Sequence, residues 1–407
     1  MSELANQIPS YVHSVLQVLA AAGKHGYPVG GCVRDILRGV TPNDFDMTAD
    51  ATPEEMQEIF RDMRVIPTGL AHGTVTVISD GHPIEITTHR HDGQYLDKRH
   101  PESVCFTTSI EEDLARRDFT VNAMAWSAER GIIDPFGGQD DIKRGLLRAV
   151  GNPEARFLED ALRILRCFRF VAKLGFQIEE KTAAAARKCR AGLAQISVER
   201  ILKELTQLLV APHAREGLAA LFAADCTAYI FGEATVNETA AAVLPSLPED
   251  PALRLAALLA DNRPDALRTL CKRLHAPNAL TDALVAYVAA LPDPIPTSPY
   301  EARRYVCTHY PHFRGVLQLK SALYGTDTKN ALALTEAVLR DRTAVELRRL
   351  AVNGKELQEA LGILPRHTGR LLAALQELVW QEPTCNRRST LLAAAKEITK
   401  EDPSYYA

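Results

Sequence analysis

The spacing of hydrophobic and polar positions changes character once along the 407 residues. Up to about Val150, short apolar runs alternate with turns. From 154 to 292 apolar residues recur at helical spacing, alanine and leucine are enriched, and β-branched alternation nearly vanishes. In the first part, Tyr27–Val29 is a short apolar run ending at Gly30-Gly31, and Val33–Leu37 carries a helical pattern. Asp44–Thr48 alternates polar and apolar like a strand. Thr52-Pro53-Glu54-Glu55 predicts a helix start, with Thr52 as cap, Pro53 in the first turn and Glu55 closing a capping box. Thr74–Ser79 and Pro83–Thr88 are β-rich runs joined by Asp80-Gly81, a strong hairpin signal. His89–Ser109 is polar and irregular and predicts a long loop of functional character. Ile132–Gly138 is turn-rich, the proline-rich Leu291–Pro299 predicts a joint, and a second helical array runs to about Lys400. The expected fold class is α+β, a head of strands and helices followed by helical segments.

Two groups of residues on this framework carry chemistry. Gly30-Gly31 ahead of a helix lets the backbone approach a ligand, and Arg34 adds a charge-assisted contact to the same anion. Asp44 and Asp46, two apart on a strand, would point to one face and could share divalent cations. A Gly-Gly or an Asp-x-Asp alone usually marks a turn or surface; together and in this order they point to a phosphate and metal site. Glu85, between Ile84 and Ile86, either adds a third carboxylate to that site or is a solvated strand residue. Arg116, Arg117, Asp118 and Asn122 could hold a triphosphate and a ribose, or simply open a helix with surface arginines.

The second group is Glu159-Asp160-Ala161-Leu162-Arg163-Ile164-Leu165-Arg166-Cys167-Phe168-Arg169. On a helix, Asp160 and Arg163 are neighbours. A carboxylate accepts and a guanidinium donates, which suits the amino group and ring nitrogen of cytosine and adenine and rejects guanine and uracil. A surface salt bridge is the alternative reading of the same spacing.

Composition narrows the field. The length predicts two to four structural units, and 46% hydrophobic with 24% charged residues describes a chain able to bury sizeable cores. The polar Met1–Ser10 gives no expectation of a signal peptide, and the apolar stretches fall short of a membrane span. Eight cysteines without a CxxC pair suit reduced cytoplasmic thiols and argue against a cysteine zinc site. From Glu301 to Ala407 there are 16 Lys+Arg against 12 Asp+Glu, so the overall net of −4 divides into −8 and +4. An acidic catalytic part with a mildly basic end suits metal chemistry plus phosphate contact.

Taken in order, GGCVRD, DFD, HGTVTV, IEITTHR, LARRDFTVNAMA, DPFGGQDDI, RFLEDALRILRCFRF and ISVERILKEL resemble the class II tRNA nucleotidyltransferases and related bacterial poly(A) polymerases of the polymerase β superfamily. VNGKELQEALGILP continues the resemblance weakly near the end. It implies a nucleotidyltransferase head with a mixed β-sheet at 1–150, then all-helical neck (151–215), body (216–295) and tail (296–407). It implies Asp44 and Asp46 as catalytic ligands of two Mg²⁺ ions. Gly31, Arg34 and Arg117 would contact nucleotide phosphates, with Asp118 and Asn122 at the ribose. Asp160 and Arg163 would be a protein template for C and A, supported by Arg166 and Arg169. Ser197, Glu199 and Arg200 match a motif that supports the template, and 89–109 matches a loop used in switching from C to A. The implied reaction is CCA addition to tRNA from CTP and ATP in the cytoplasm, with no membrane, DNA or obligate protein partner. Addition of A or CC alone, poly(A) synthesis, and a non-catalytic RNA scaffold are the alternatives; the paired aspartates oppose the scaffold. The only His-Asp dipeptide, His91-Asp92, lies in the loop, so no appended phosphohydrolase domain is expected.

Overall fold

The computed structural model describes residues 5–67, 69, 73–92, 104–340 and 350–406. The chain divides into two compact units, Met1–Glu233 with Arg273–His275, and Ala234–Lys272 with Ala276–Ala407.

The first unit opens with α1 (Ser10–Ala21), whose Val12, Val15 and Leu19 are fully buried on one face. β1 (Gly26–Pro28), α2 (Gly31–Leu37), β2 (Met47–Ala49) and α3 (Pro53–Ile59) follow. Then come β3 (Arg64–Ile66), β4 (Thr74–Ser79) and β5 (His82–Thr88). The strands form a five-stranded sheet in the order β1-β2-β5-β4-β3. Only β2 and β5 run parallel, with Met47 opposite Ile86, so the sheet is mixed as expected. Met47, Ala49, Val75, Val77, Ile84 and Ile86 build one buried core with α1, Met56 and Phe60. The Asp80-Gly81 turn has φ of 48° and 81°, the left-handed pair that a tight hairpin needs. The capping box on α3 forms in full: the Thr52 hydroxyl accepts from the Glu55 N–H at 3.3 Å, and the Glu55 carboxylate accepts from the Thr52 N–H at 2.8 Å.

Two expectations are corrected. The strand begins at Met47 and not at Asp44, because its partner runs out. Val29 N–H still reaches the Asp46 carbonyl at 3.0 Å, but Gly30 (φ 77°) turns away and donates to Met124 O instead. The flanks of the expected 89–109 loop are strands, β6 (Arg90–Asp92) paired with β7 (Val104–Phe106). The centre of that loop, 93–103, lies outside the described residues.

Beyond α4 (Ile110–Ala115), a turn at Thr120–Asn122 leads into the hairpin β8 (Ala125–Ser127)/β9 (Gly131–Ile133) and α5 (Gly138–Arg144). The turn is pinned from below. Asp134 accepts from the N–H groups of Gly138 and Gln139 at 2.7 and 2.9 Å. A Cβ at Gly138 would lie 2.3 Å from the Thr120 carbonyl oxygen, so only glycine fits there. β10 (Leu146–Leu147) pairs in parallel with β11 (Gln177–Ile178), a short strand inside the stretch read as purely helical. The rest of the unit is helical: α6 (Pro153–Glu159), α7 (Leu162–Leu174), α8 (Glu180–Cys189), α9 (Val198–Val210), α10 (Ala214–Ala223) and α11 (Thr227–Phe231).

The described residues of the second unit are helical throughout, with Leu291–Pro299 running between the helices Asn278–Ala289 and Pro299–His309. Its last helices close on Leu357, Leu371, Leu375, Val379 and Leu391.

Candidate active site

Phe45 is buried, and the aspartates on either side of it stay on the solvent side. Glu85 projects from β5 away from the buried Ile84 and Ile86, and lines one cleft with Asp46, Thr74, Thr87, Arg90, Arg116 and Arg117. The cleft holds about 270 Å³. Asp46 is exposed as a residue, yet its carboxyl is crowded by protein. That desolvation, and then the charges of Asp44 and Glu85, push its carboxyl up to about 6, against the lowering field of Arg117. A carboxylate raised by burial and by two neighbouring carboxylates is the kind of perturbed group that clusters at functional sites.

The opposite wall is basic. Asp113, fully buried on α4, accepts from Arg116 Nε and Nη2 at 3.0 and 2.7 Å through one oxygen and from Arg117 Nη2 at 3.1 Å through the other. Burial alone would raise the Asp113 carboxyl; the two guanidinium groups hold it below its ordinary value. The sequence reading passed over Asp113 because its spacing from Arg116 and Arg117 is that of any helical surface pair. Arg117 also approaches the glycine turn: a Cβ at Gly30 would sit 3.1 Å from its Nη1. Gly31 starts α2 beside this turn.

Arg34 is buried and already engaged. Its Nε and Nη2 donate to the Asp35 carboxylate at 2.8 and 2.9 Å, and Nη1 donates to Asn122 Oδ1 at 2.5 Å. Asn122 Nδ2 donates to Asp118 Oδ1 at 3.1 Å, and Arg166 grips Asp118 Oδ2 through Nε and Nη2 at 2.8 and 2.6 Å. Despite burial, Arg166 and Asn122 hold the Asp118 carboxyl down at about 2. Arg169 donates to Glu204 of α9 at 2.5 Å, and the Phe170 ring has Arg34, Arg166 and Arg169 within 4.4–5.6 Å. The α2 turn, the Thr120–Asn122 turn, α7 and α9 are thus tied into one hydrogen-bonded chain.

Asp160 departs from the expected helical position. It lies between α6 and α7 with φ −142° and ψ 104°. One oxygen accepts from Leu162 N–H at 2.9 Å and the other from Arg200 Nη2 at 2.7 Å. A short acidic side chain satisfies the free N–H groups of a helix start better than it continues a helix. Arg163 instead donates to Glu159 at 2.6 Å and to the carbonyls of Arg156 and Arg116 at 3.2 and 3.0 Å. The structure therefore brings Asp160 and Arg163 to one helix junction, where the Arg163 N–H donates to the Asp160 carbonyl at 3.0 Å but the side chains do not pair. Ser197 begins α9 and makes no side-chain cap, and Glu199 meets His275 at 2.6 Å.

Comparison with known proteins settles the lineage. Residues 26–148 match the poly A polymerase head domain, and 175–237 match the probable RNA and SrmB-binding site of polymerase A. A CCA-adding enzyme of Lactiplantibacillus plantarum is 34% identical over 395 residues, 94% of this chain and 95% of that enzyme. The chain belongs to the CCA-adding enzyme family. The CCA-adding enzyme of Streptococcus mutans is 45% identical over 236 residues, a match that spans 58% of either chain. The structure of Bacillus stearothermophilus CCA-adding enzyme in complex with CTP superposes with a TM-score of 0.79 at 30% identity, covering 99% of this chain and all of that one.

The family implies use of a divalent metal, and the carboxylates fit one. Among the described residues no group of three or more His, Cys, Asp or Glu side chains is placed to hold a metal ion, so the fit rests on the Asp44 and Asp46 carboxylates. The hard oxygens of two carboxylates suit a cation that also takes ligand oxygens, as magnesium does. No described helix is long and apolar enough to cross a membrane.

One buried group near the cleft serves none of these networks. His89 is fully buried, stacks on Tyr27 at 5.6 Å, and neither ring nitrogen makes a hydrogen bond of normal geometry. Burial lowers its pKa, with Asp113 and Asp50 pulling the other way. The folded state therefore binds fewer protons than the unfolded one, and stability is lost as pH falls through about 6.5. His89→Phe should leave melting at pH 7.5 unchanged or higher and flatten the decline between pH 7 and 5. Parallel pH–melting curves for the two proteins would contradict this.

Proposed function

We propose that this chain adds C, C and A to the 3′ end of tRNA from CTP and ATP, in the cytoplasm and without a nucleic-acid template. The observation that carries the reading is Asp46, crowded by protein and by the charges of Asp44 and Glu85, in the cleft that Arg117 lines next to the Gly30 turn. Its carboxylates would hold magnesium. A bound magnesium pair would supply Lewis-acid polarisation of the attacking 3′-hydroxyl and of the α-phosphate. The chain's own part is placement. Gly30 and Gly31 let the backbone close on the phosphates, and Arg117, aimed by Asp113, supplies positive charge there. Arg34 braces this wall through Asn122, and Asp118 and Asn122 stand at the ribose, held by Arg166.

Selection of the base would fall to Asp160 and Arg163. Each Asp160 oxygen retains acceptor capacity beyond its present bond, so the carboxylate can take an exocyclic amino group while Arg163 donates to the ring nitrogen. Both groups present the same pattern to cytosine and adenine. The bonds to Arg200 and Glu159 hold the two side chains apart until a base arrives, with Arg169 and Glu204 fixing α7 against α9. We retain the division into head, neck, body and tail at 1–150, 151–215, 216–295 and 296–407. The mildly basic tail would take the tRNA by shape and phosphate contacts.

The deciding experiment offers CTP and ATP, separately and together, to the purified protein with tRNA transcripts ending before CCA, after C and after CC. Two C additions, one A and arrest are expected. An A tail that keeps growing would reassign the chain to poly(A) synthesis, and C alone or A alone to a partial activity.

A further inference from the structure

Arg163, Arg166, Arg169 and Lys173 recur every three to four residues along α7, which places four cations on one arc of the helix. Three of them are committed: Arg163 to Glu159, Arg166 to Asp118, Arg169 to Glu204. Lys173 is exposed and makes no ion pair or hydrogen bond among the described residues.

Its position relative to the glycine turn is fixed by its neighbours. One turn earlier, Phe170 lies 5.6 Å from the Arg34 guanidinium; just after α7, Phe176 lies 5.5 Å from that of Arg38. Arg34 belongs to α2 and Arg38 is its C-cap, so the stretch 170–176 runs along the C-terminal half of α2 with Lys173 midway. The ammonium sits within the electrostatic reach of Arg34, Asp35 and Asp44. Partial desolvation lowers its pKa, with Arg34 and Arg169 adding to the shift and Asp35 and Asp44 opposing it.

The stripe therefore has two ends about 15 Å apart by helical rise. Arg163 stands at one, beside the proposed base-reading carboxylate. Lys173 stands at the other, beside the helix that follows Gly30-Gly31 and near the Asp44 carboxylate. An extended nucleoside triphosphate laid along α7 with its base at Arg163 carries its terminal phosphates towards Lys173. We propose that Lys173 binds the β- and γ-phosphates of the incoming nucleotide, the portion that departs as pyrophosphate. The inference deepens the nucleotide-transfer reading and rests on it. A flexible lysine with no partner is suited to this task, since a hydrated point charge can follow the phosphates as they leave. Arg166 and Arg169 are held by carboxylates and serve to shape the wall.

The test is equilibrium binding of CTP, ATP, CMP and inorganic pyrophosphate to the intact protein with magnesium, for wild type, Lys173→Gln and Lys173→Arg. Lys173→Gln should weaken CTP, ATP and pyrophosphate about tenfold, the loss of one charge-assisted contact, and leave CMP unchanged. Lys173→Arg should recover most of the loss. In turnover on tRNA, the glutamine variant should raise KM for CTP and ATP by the same factor, because phosphates are common to both. Unchanged pyrophosphate affinity, or an equal loss for CMP, would overturn the proposal. So would a change confined to one base. A wild type that binds CTP and pyrophosphate yet extends no tRNA would defeat the CCA-adding assignment and leave the binding test of Lys173 intact.

Discussion

Asp46→Asn should abolish nucleotide addition and, in the absence of metal, make the protein more stable. Loss of activity follows from removing one of the two carboxylates proposed to hold the metal pair, and should exceed about a thousandfold. The gain in stability follows from the charge cluster itself. With its carboxyl raised to about 6 in the folded state, against about 3.9 unfolded, Asp46 is more readily protonated when folded. Folding is then favoured at low pH, and this contribution is lost as pH rises from about 4 through about 6. Above pH 6 the ionised side chain is a net cost to the fold. A fully buried group shifted this far would cost about 3 kcal/mol, but Asp46 is exposed, and screening by solvent brings the figure to about 1 kcal/mol. That corresponds to a rise of about 2–4 °C in melting temperature for a unit of this size. Thermal melts in EDTA at pH 7.5 and pH 4.5 check this: the difference should be present at the higher pH and fade at the lower. Added magnesium should stabilise the wild type and not the variant. If the variant melts at or below wild type in EDTA at pH 7.5, the mutual repulsion of Asp44, Asp46 and Glu85 is not what shapes this cleft.

How far this arrangement could be read from sequence depended on whether its causes were local. The Thr52 capping box and the Asp80-Gly81 turn are each decided within four residues, and both formed as expected. Glu85 was placed on the open face by strand alternation, a local rule as well. The limits of β2 were misread because they depend on β1, distant in sequence: Pro28 pairs with Met47, and where Gly30 turns aside the ladder ends at the Val29–Asp46 bond. Asp160 was read as helical because an aspartate before an amphipathic run fits both a helix interior and a helix start; its own capping preference was the available signal. Asp113 and the engagement of Arg34 were out of reach. Burial of a carboxylate under two arginines, or an arginine–asparagine bond between residues 34 and 122, leaves no trace in local spacing. The family resemblance points to residue identities, and their partners are visible only in the folded chain.

That distinction sharpens the second large prediction. Asp160 and Arg163 are neighbours in sequence, but each is held by another residue, so base selection should respond to the holders as well as to the pair. Asp160→Ala should reduce the preference for C and A over U and G by about 10–100-fold in kcat/KM, the worth of about 1–3 kcal/mol for a specific hydrogen bond to a base edge. Binding of the favoured nucleotides should fall much less. Arg200→Met keeps Asp160 but removes the 2.7 Å bond that fixes its second oxygen. It should lower selectivity in the same direction by a smaller factor, because a carboxylate left with only the Leu162 N–H is free to rotate away. Glu159→Gln tests the other half, since it weakens the 2.6 Å charge-assisted hold on Arg163 while preserving shape. Single-nucleotide incorporation with all four triphosphates, competed pairwise, measures each factor. A graded loss, largest for Asp160 and intermediate for Arg200 and Glu159, is what a template built from separately braced groups requires. An Asp160→Ala enzyme that still rejects U and G at the wild-type ratio would move selection elsewhere. An Arg200→Met enzyme indistinguishable from wild type would show that Asp160 needs no brace beyond the helix start it caps.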